Sequence, residues 1–424
     1  MSATTASLAP PPGGSSLKQD AGVIGLVGLA HGISHFSQLL LPPLFPWLKT
    51  EFNVSYTQLG ALLTVFFVVS CAVQALSGFI VDRFGPRPVL MGGLALIGLA
   101  ALGYALAPSY PVLALCAVIA GVGNGVFHPV DYTLLNRKVH KTRLGHAYSV
   151  HGITGSLGWA AAPALMVPVA VAYGWRNALL CAAAVSLSVL AVIVWQRGRL
   201  ALSVSPPVAP RAASAGATGS IASSEGAFDF LRLPAVWMCF GFFFVYAGVL
   251  SVVQTYAPEA ARQLHQVPVP LAAACLSIYM VCSACGMVAG GFLASDPARC
   301  ERIVGIGIGL AAGVAVVLAW TELPAYAVPV LFGVMGGATG LSGPSRDLLV
   351  KQATPEGSTG RVYGIVYAGL DIGQALTPLL FGRLMDGHQY QGVLIGLTAL
   401  QLMLIASAFN VRRARREQPL PAPA

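Results

Sequence analysis

Charge is what this chain has least of. Of its 424 residues only 9% are Asp, Glu, Lys or Arg, against about 25% in an ordinary soluble domain. That scarcity excludes a soluble enzyme and a disordered protein, both of which present far more charge to water. Cysteines number eight and fall almost wholly inside apolar runs, so no disulfide framework of a secreted scaffold is implied. Cys282 and Cys285 form a C-x-x-C within such a run and read as small packing residues. The first twenty residues, rich in Ala, Ser, Pro and Gly, lack a basic n-region and cleavage site, so no signal peptide is expected. Three enzyme signatures are missing too: H-E-x-x-H, the G-x-S-x-G elbow and the G-x-x-x-x-G-K-[ST] phosphate loop. The chain is therefore not expected to be an enzyme, to carry a cofactor or metal, or to be a pump driven by that ATP-binding motif.

What is present in quantity is apolar: 56% of the residues, with a mean hydropathy of +0.74. These residues gather in twelve runs, near 22–42, 57–81, 88–107, 111–135, 146–171, 175–196, 235–257, 269–294, 302–320, 325–349, 361–382 and 392–410. Each is close to the ~20 residues a helix needs to cross a bilayer. The expectation is an all-α polytopic membrane protein of twelve transmembrane helices in two six-helix bundles. The division reads as a disordered cytoplasmic N-terminus (1–20), a first bundle (21–196), a linker (197–233), a second bundle (234–411) and a basic tail (412–424). Pro, Ala, Gly and Ser in SPPVAPRAASAGATGS mark the linker as flexible.

The net charge of +9 is arranged by loop. Twenty of the 24 basic residues fall on one side of the predicted spans; only Lys49, Arg176, Arg262 and Arg383 fall on the other. This is the positive-inside signature and predicts both termini in the cytoplasm, with the RRARRE tail as a membrane-surface anchor. No basic run is interleaved with aromatics, so nucleic acid is not an expected partner. The expected partners are a small-molecule substrate, a proton and the lipid bilayer, and the expected setting is a monomer in a bacterial-type inner membrane.

The two halves are related. An offset of 215 pairs Gly121 with Gly336, Gly125 with Gly340, Pro129 with Pro344, Tyr148 with Tyr363, Gly158 with Gly373 and Pro163 with Pro378. An offset of 216 pairs Gly32 with Gly248, Gln38 with Gln254 and Pro42 with Pro258. Both copies begin on the same side, so the repeat is parallel, the plan of secondary transporters whose halves rock about a shared site.

Between the second and third runs stands GFIVDRFGPRP, with Gly78, Asp82, Arg83, Gly85 and Arg87. This resembles the G-x-x-x-D-R-x-G signature of the major facilitator superfamily. There Gly78 permits close helix contact and Gly85 a tight turn, while Asp82 faces the N-terminus of the eleventh helix. The resemblance implies a latch that holds the outward-open state. GVGNGVFHPVDYTLLNRKV, LGHAYSVHGITGSLGWAAAP and HGISHFSQLLLPPLFPWL in the fourth, fifth and first runs are similar to the fosmidomycin-resistance-type efflux branch. That likeness implies a proton-coupled antiporter exporting drugs or small polar compounds. A proton symporter importing a small organic anion is the competing reading of the same fold. Two places depart from the drug–proton antiporter pattern: Ala117 stands where an arginine is common, and Pro163 is displaced from Gly152, Gly155 and Gly158.

An ionisable group at membrane depth costs about 2.5–3.5 kcal/mol on insertion scales, so each one needs a reason. His31 and His35 share a face of the first predicted helix, one turn apart; His128 and Asp131 share one on the fourth. His151 lies in the fifth, and Asp371 about 17 Å into the eleventh at the helical rise. The resemblance implies that His31, His35, Gln38, His128, His151, Gln254 and Asp371 converge on one cavity. Proton coupling is assigned to Asp371, or to His128 with Asp131. Substrate contact is assigned to His31, His35, Gln38, His128, His151, Tyr246 and Gln254, with Trp159 a further candidate. By the repeat Asp131 also stands opposite Arg346, which reads as a cytoplasmic gate. His140, His146, His265 and His388 fall in loops or at interfaces.

Overall fold

The computed structural model describes residues 16–202, 234–293, 300–353 and 359–416. The side chains of 234–235, 300–301, 346–353, 359–367 and 410–416 lie outside that description, as do most of the expected linker and the last residues of the tail. Among the described residues there are only helices and turns, and eleven helices are long and apolar enough to cross a membrane. A twelfth long helix, α14 (Thr359–Asp386), has 28 residues, a length that suffices to cross.

The first half is α1 (Leu17–Gln38), a short α2 (Phe45–Phe52), α3 (Tyr56–Phe84), α4 (Pro86–Leu106), α5 (Tyr110–Asn124), α6 (Phe127–Lys138), α7 (Leu144–Tyr173) and α8 (Trp175–Trp195). The second is α9 (Pro234–Thr255), a short α10 (Ala257–His265), α11 (Val269–Leu293), α12 (Cys300–Trp320), α13 (Ala327–Ala353), α14 and α15 (Tyr390–Arg416). The repeat extends to the short helices: α2 and α10 each follow the first helix of their half, with a paired proline just ahead of α2 (Pro42) or in the first turn of α10 (Pro258), and each ends on a left-handed residue, Asn53 or Gln266.

Local chemistry sets several boundaries. Ser16 opens α1 with a capping box, its Oγ accepting from the Gln19 amide at 3.2 Å while Gln19 Oε1 accepts from the Ser16 amide at 3.0 Å. Residues 17–20, expected in the disordered tail, are thus the first turn of α1. Asp20 is 1% exposed and accepts from Arg143 Nε at 2.6 Å and the His140 amide at 3.1 Å. Gly85, at φ +81°, makes the expected turn between α3 and α4. The fourth predicted run is broken after Asn124, and α6 restarts at Phe127. Ser77 Oγ donates to the Gly125 carbonyl at 3.1 Å, satisfying a group the break sets free.

Small residues set the helix spacing, as expected where lipid removes the hydrophobic drive between helices. A Cβ on Gly121 or Gly125 would strike the carbonyls of Phe66 or Ser70 in α3; a Cβ on Gly336 or Gly340 would strike those of Tyr279 or Ser283 in α11. The α3–α5 contact of one half is therefore repeated as α11–α13 in the other. Gly158 likewise sits directly on the Gly32 carbonyl, bringing α7 onto α1.

Two seams join the halves, α3 with α14 and α7 with α11. In the second, Ser277 Oγ donates to the Ala160 carbonyl at 2.9 Å. The first is closed at the face opposite the termini. There Asp386, at the end of α14, accepts from the Tyr56 amide at 2.6 Å, the Thr57 amide at 3.0 Å and Thr57 Oγ1 at 2.6 Å. A carboxylate from one half thus binds the first amides of a helix in the other, beside that helix's own N-cap, Ser55. Further along, Thr64 Oγ1 donates to the Ala375 carbonyl at 2.6 Å, and Tyr256 Oη lies 3.0 Å from the Tyr56 carbonyl and 3.1 Å from that of Pro378. Tyr56 is buried here. Beside it Glu259 holds Arg262 through two hydrogen bonds, 2.7 and 2.8 Å, and chiefly through that bonding raises the guanidinium pKa. The larger apolar core draws on both halves, whereas a second core contains only residues between Val23 and Leu200.

Candidate functional site

Three helices of the first half bring four imidazoles and a carboxylate together. His31 and His35 come from α1, His128 and Asp131 from the start of α6, and His151 from α7. The His31 and His151 rings stack at 3.5 Å between centroids; His35 lies 4.3 Å and His128 5.2 Å from His31. Asp131 is fully buried at the centre. Its Oδ2 lies 3.2 Å from His151 Nε2, within hydrogen-bonding geometry, and 3.1 Å from His31 Nδ1. The latter pair is close without being aligned, and His31 Nδ1, His35 Nδ1 and Asp131 Oδ1 are buried with no hydrogen-bond partner among the described residues.

The local sequence makes this crowding possible. Gly155 faces the pair on α1, and a Cβ there would stand 2.7 Å from His35 and 3.0 Å from His31. The break before α6 lets His128 and Asp131 turn inward together, and half-buried His128 stacks on Tyr132.

A second shell continues toward the opposite face. His35 stacks on Trp159 at 4.2 Å, and Trp159 Nε1 donates to Gln38 Oε1 at 3.0 Å. Gln38 Nε2 donates to Asn124 Oδ1 at 3.3 Å; Ser34 Oγ donates to the same oxygen at 2.7 Å, and Asn124 Nδ2 donates to Ser70 Oγ at 2.8 Å. Asn124, Ser34 and Ser70 carried no sequence signal of their own. Only Asn124's place at a helix break, in G-N-G, could have singled it out.

The residues expected to converge divide into separate groups. His31, His35, His128, His151 and, through Trp159, Gln38 form the network of the first half. Gln254 is buried in the second half, where Gln374 Nε2 donates to its Oε1 at 3.4 Å. The two arrangements obey the repeat: Gln38 corresponds to Gln254 and Trp159 to Gln374. Asp371 stands half-buried at the α3–α14 seam, 3.3 Å from Gln74 Nε2 and beside the Cys71 thiol. Tyr246 is half-buried against the shared apolar core.

The histidine cluster breaks the repeat. Where the first half has His31, His35, His128 and His151, the second has Ala247, Ser251, Gly343 and Val366. The same fold is built without these imidazoles, so their presence is not required by packing.

Of the expected latch, Asp82 and Arg83 are exposed and Arg87 is half-buried. A Cβ on Gly78 would meet nothing within 4 Å. The close contact expected of Gly78 is therefore not made among the described residues, because the seam along α3 is closed at its other end. The side chains at the start of α14, against which Asp82 was expected to rest, and the Arg346 side chain of the expected gate lie outside the description. Asp131 itself is directed at His31 and His151.

Two parallel six-helix halves, joined along two seams and closed at one face over buried polar groups, are the architecture of an alternating-access membrane transporter. The family model described as Major Facilitator Superfamily matches residues 27–342, and the chain belongs to that family. It is 30% identical over 176 residues to the fosmidomycin resistance protein of Escherichia coli, covering 41% of this chain and 43% of that one. It is 36% identical over 157 residues to a multidrug resistance protein B homolog of Mycobacterium tuberculosis, covering 37% and 28%. A probable sulfoacetate transporter of Cupriavidus necator is 26% identical over 165 residues, covering 39% and 38%. The chain thus aligns with less than half the length of each of these relatives. Among solved structures, a bacterial homolog of the human lysosomal transporter Spinster, inward-facing and occupied, has a TM-score of 0.74 at 14% identity, covering 96% of this chain and all of that one. The nucleoside transporter NupG has a TM-score of 0.70 at 14% identity, covering 92% and 99%. At these identities the likeness concerns the fold.

Proposed function

We propose that this transporter is proton-coupled and exports a small polar or anionic compound by alternating access, from a bacterial-type inner membrane with both termini in the cytoplasm. The observation that carries the reading is Asp371. It is an acidic group at membrane depth, on the seam between the halves, and its described neighbours Gln74 and Cys71 are neutral. Among the described residues no cation lies within ion-pair distance of it. An unpaired charge at that depth costs about 2.5–3.5 kcal/mol, and a bound proton removes it. A group on the seam meets water as the halves part, so proton exchange there is coupled to which face is open.

Asp131 is enclosed within one half and holds His151 in orientation, which suits a positioning role better than exchange with either face. His31, His35 and His128, with Gln38 and Trp159, supply the polar surface for substrate. Relatives named for fosmidomycin resistance and for sulfoacetate transport support a small polar or anionic substrate. The closed face would be the outer one. Exposed Asp82 then agrees with a latch that is released when the outer mouth is shut.

Proteoliposomes holding the purified protein test this under an imposed pH gradient. Efflux of phosphonate or sulfonate test compounds should run opposite to the proton. Asp371→Asn should abolish gradient-driven flux and keep substrate counterflow. Gradient-driven flux in that variant at the wild-type rate would refute the assignment, and substrate moving with the proton would identify the importer instead.

A further inference from the structure

We infer that His31, His128, His151 and Asp131 form a binding site for one divalent first-row transition-metal ion, of the imidazole-preferring kind that zinc represents. The inference goes beyond proton coupling and does not depend on it. One ring nitrogen of each of the three histidines lies within 4.8 Å of the others. Asp131 Oδ2 lies 3.1 Å from His31 Nδ1 and 3.2 Å from His151 Nε2. A tetrahedral zinc with ligands at about 2.0–2.1 Å separates neighbouring donors by about 3.3 Å, so two edges of that tetrahedron are already in place. His128, whose ring nitrogen lies within 4.8 Å of those of His31 and His151, supplies the remaining ligand.

The lone pairs point the same way. His31 Nδ1 and Asp131 Oδ2 are near each other but not aligned as donor and acceptor, an arrangement that suits two atoms facing a common third body. His31 is 2% exposed, and its Nδ1 is buried without a hydrogen-bond partner among the described residues. Coordination would give the His31 nitrogen the partner it lacks. The second half shows that the fold does not need these rings. Three imidazoles and one carboxylate suit zinc, nickel, cobalt or copper rather than the oxygen-seeking magnesium or calcium. His35, held by its stack on Trp159, buttresses the cluster, and the half-exposed Tyr132 and Tyr148 flank the approach to His128.

The test uses the full-length protein in detergent, purified with a tag that contains no histidine, and zinc and cobalt as probes. Equilibrium dialysis should find one zinc per chain, and cobalt should give the visible bands of a tetrahedral nitrogen–oxygen site. His128→Ala, at a half-buried position that tolerates truncation, should weaken zinc binding by more than about 100-fold, beyond the loss an outer-shell change gives. Replacing His140, His146, His265 and His388 together by glutamine should leave it unchanged. Equal zinc uptake by wild type and the His128 variant overturns the inference, as does the absence of saturable uptake by wild type. Zinc binding retained in Asp371→Asn would separate this site from the coupling site, so the two readings fail independently.

Discussion

The capping of α3 by Asp386 is a switch whose strength can be worked out. Its carboxylate takes three hydrogen bonds from Tyr56 and Thr57, two from backbone amides at a helix N-terminus. Bonds to a charged acceptor are worth about 1.5–3 kcal/mol each when buried, but Asp386 is half-exposed and solvent screens it. Loss of a cap costs about 0.5–2 kcal/mol and loss of the interaction with the helix dipole about 0.3–1 kcal/mol. A net contribution of about 1–2 kcal/mol follows. Because the cap joins different halves, it exists only while this face is closed, so nearly all of it biases the conformational equilibrium. Asp386→Ala should shift the ratio of closed to open by roughly 5–30-fold. Spin labels at Thr50 on α2 and Gln263 on α10, at this face, would report it as a longer-distance population in pulsed dipolar spectroscopy. A distance distribution unchanged from the parent would refute the claim that Asp386 closes this mouth.

Two further substitutions test the packing that positions the site. Gly158→Ala places a methyl against the Gly32 carbonyl, and the forced separation of α1 from α7 should cost about 1–3 kcal/mol. The midpoint of thermal unfolding should fall, and transport should fall with it as His31 and His35 move away from His151. Asn124→Ala leaves Ser34, Ser70 and Gln38 without a shared partner, at about 1–3 kcal/mol for each buried group stranded. Its expected signature is a lower unfolding midpoint, while Asn124→Asp, which keeps the acceptor, should lose less.

Much of the architecture is legible in the sequence because it rests on local or periodic properties. Long apolar runs mark the helices, and offsets of 215 between Gly121 and Gly336 and of 216 between Gln38 and Gln254 mark the repeat. The repeat holds in three dimensions, where Gln38–Trp159 reappears as Gln254–Gln374. The meeting of His31, His35, His128 and His151 also follows from their shared faces once α1, α6 and α7 are neighbours. The break at Gly125–Val126 was not legible, since hydropathy runs straight through it. Nor was the bond from Asp386 to Tyr56, which joins residues 330 positions apart. Either residue alone reads as an ordinary interfacial one. Asp371 was expected in the cavity with the histidines and stands on the seam, because the register of α14 against α3 depends on contacts such as Thr64 with Ala375.

The anchoring of Asp20 has a practical consequence for anyone handling this protein. Its carboxylate fastens the first turn of α1 to Arg143 and His140, between the helices that carry Asp131 and His151. α1, α6 and α7 are thereby fixed to one another just below the imidazoles. A tag fused ahead of Ser16 leaves that fastening alone. One that replaces residues 16–20 removes both the cap and the tether, and would slacken the histidine cluster from a distance of several turns while every histidine remained in place.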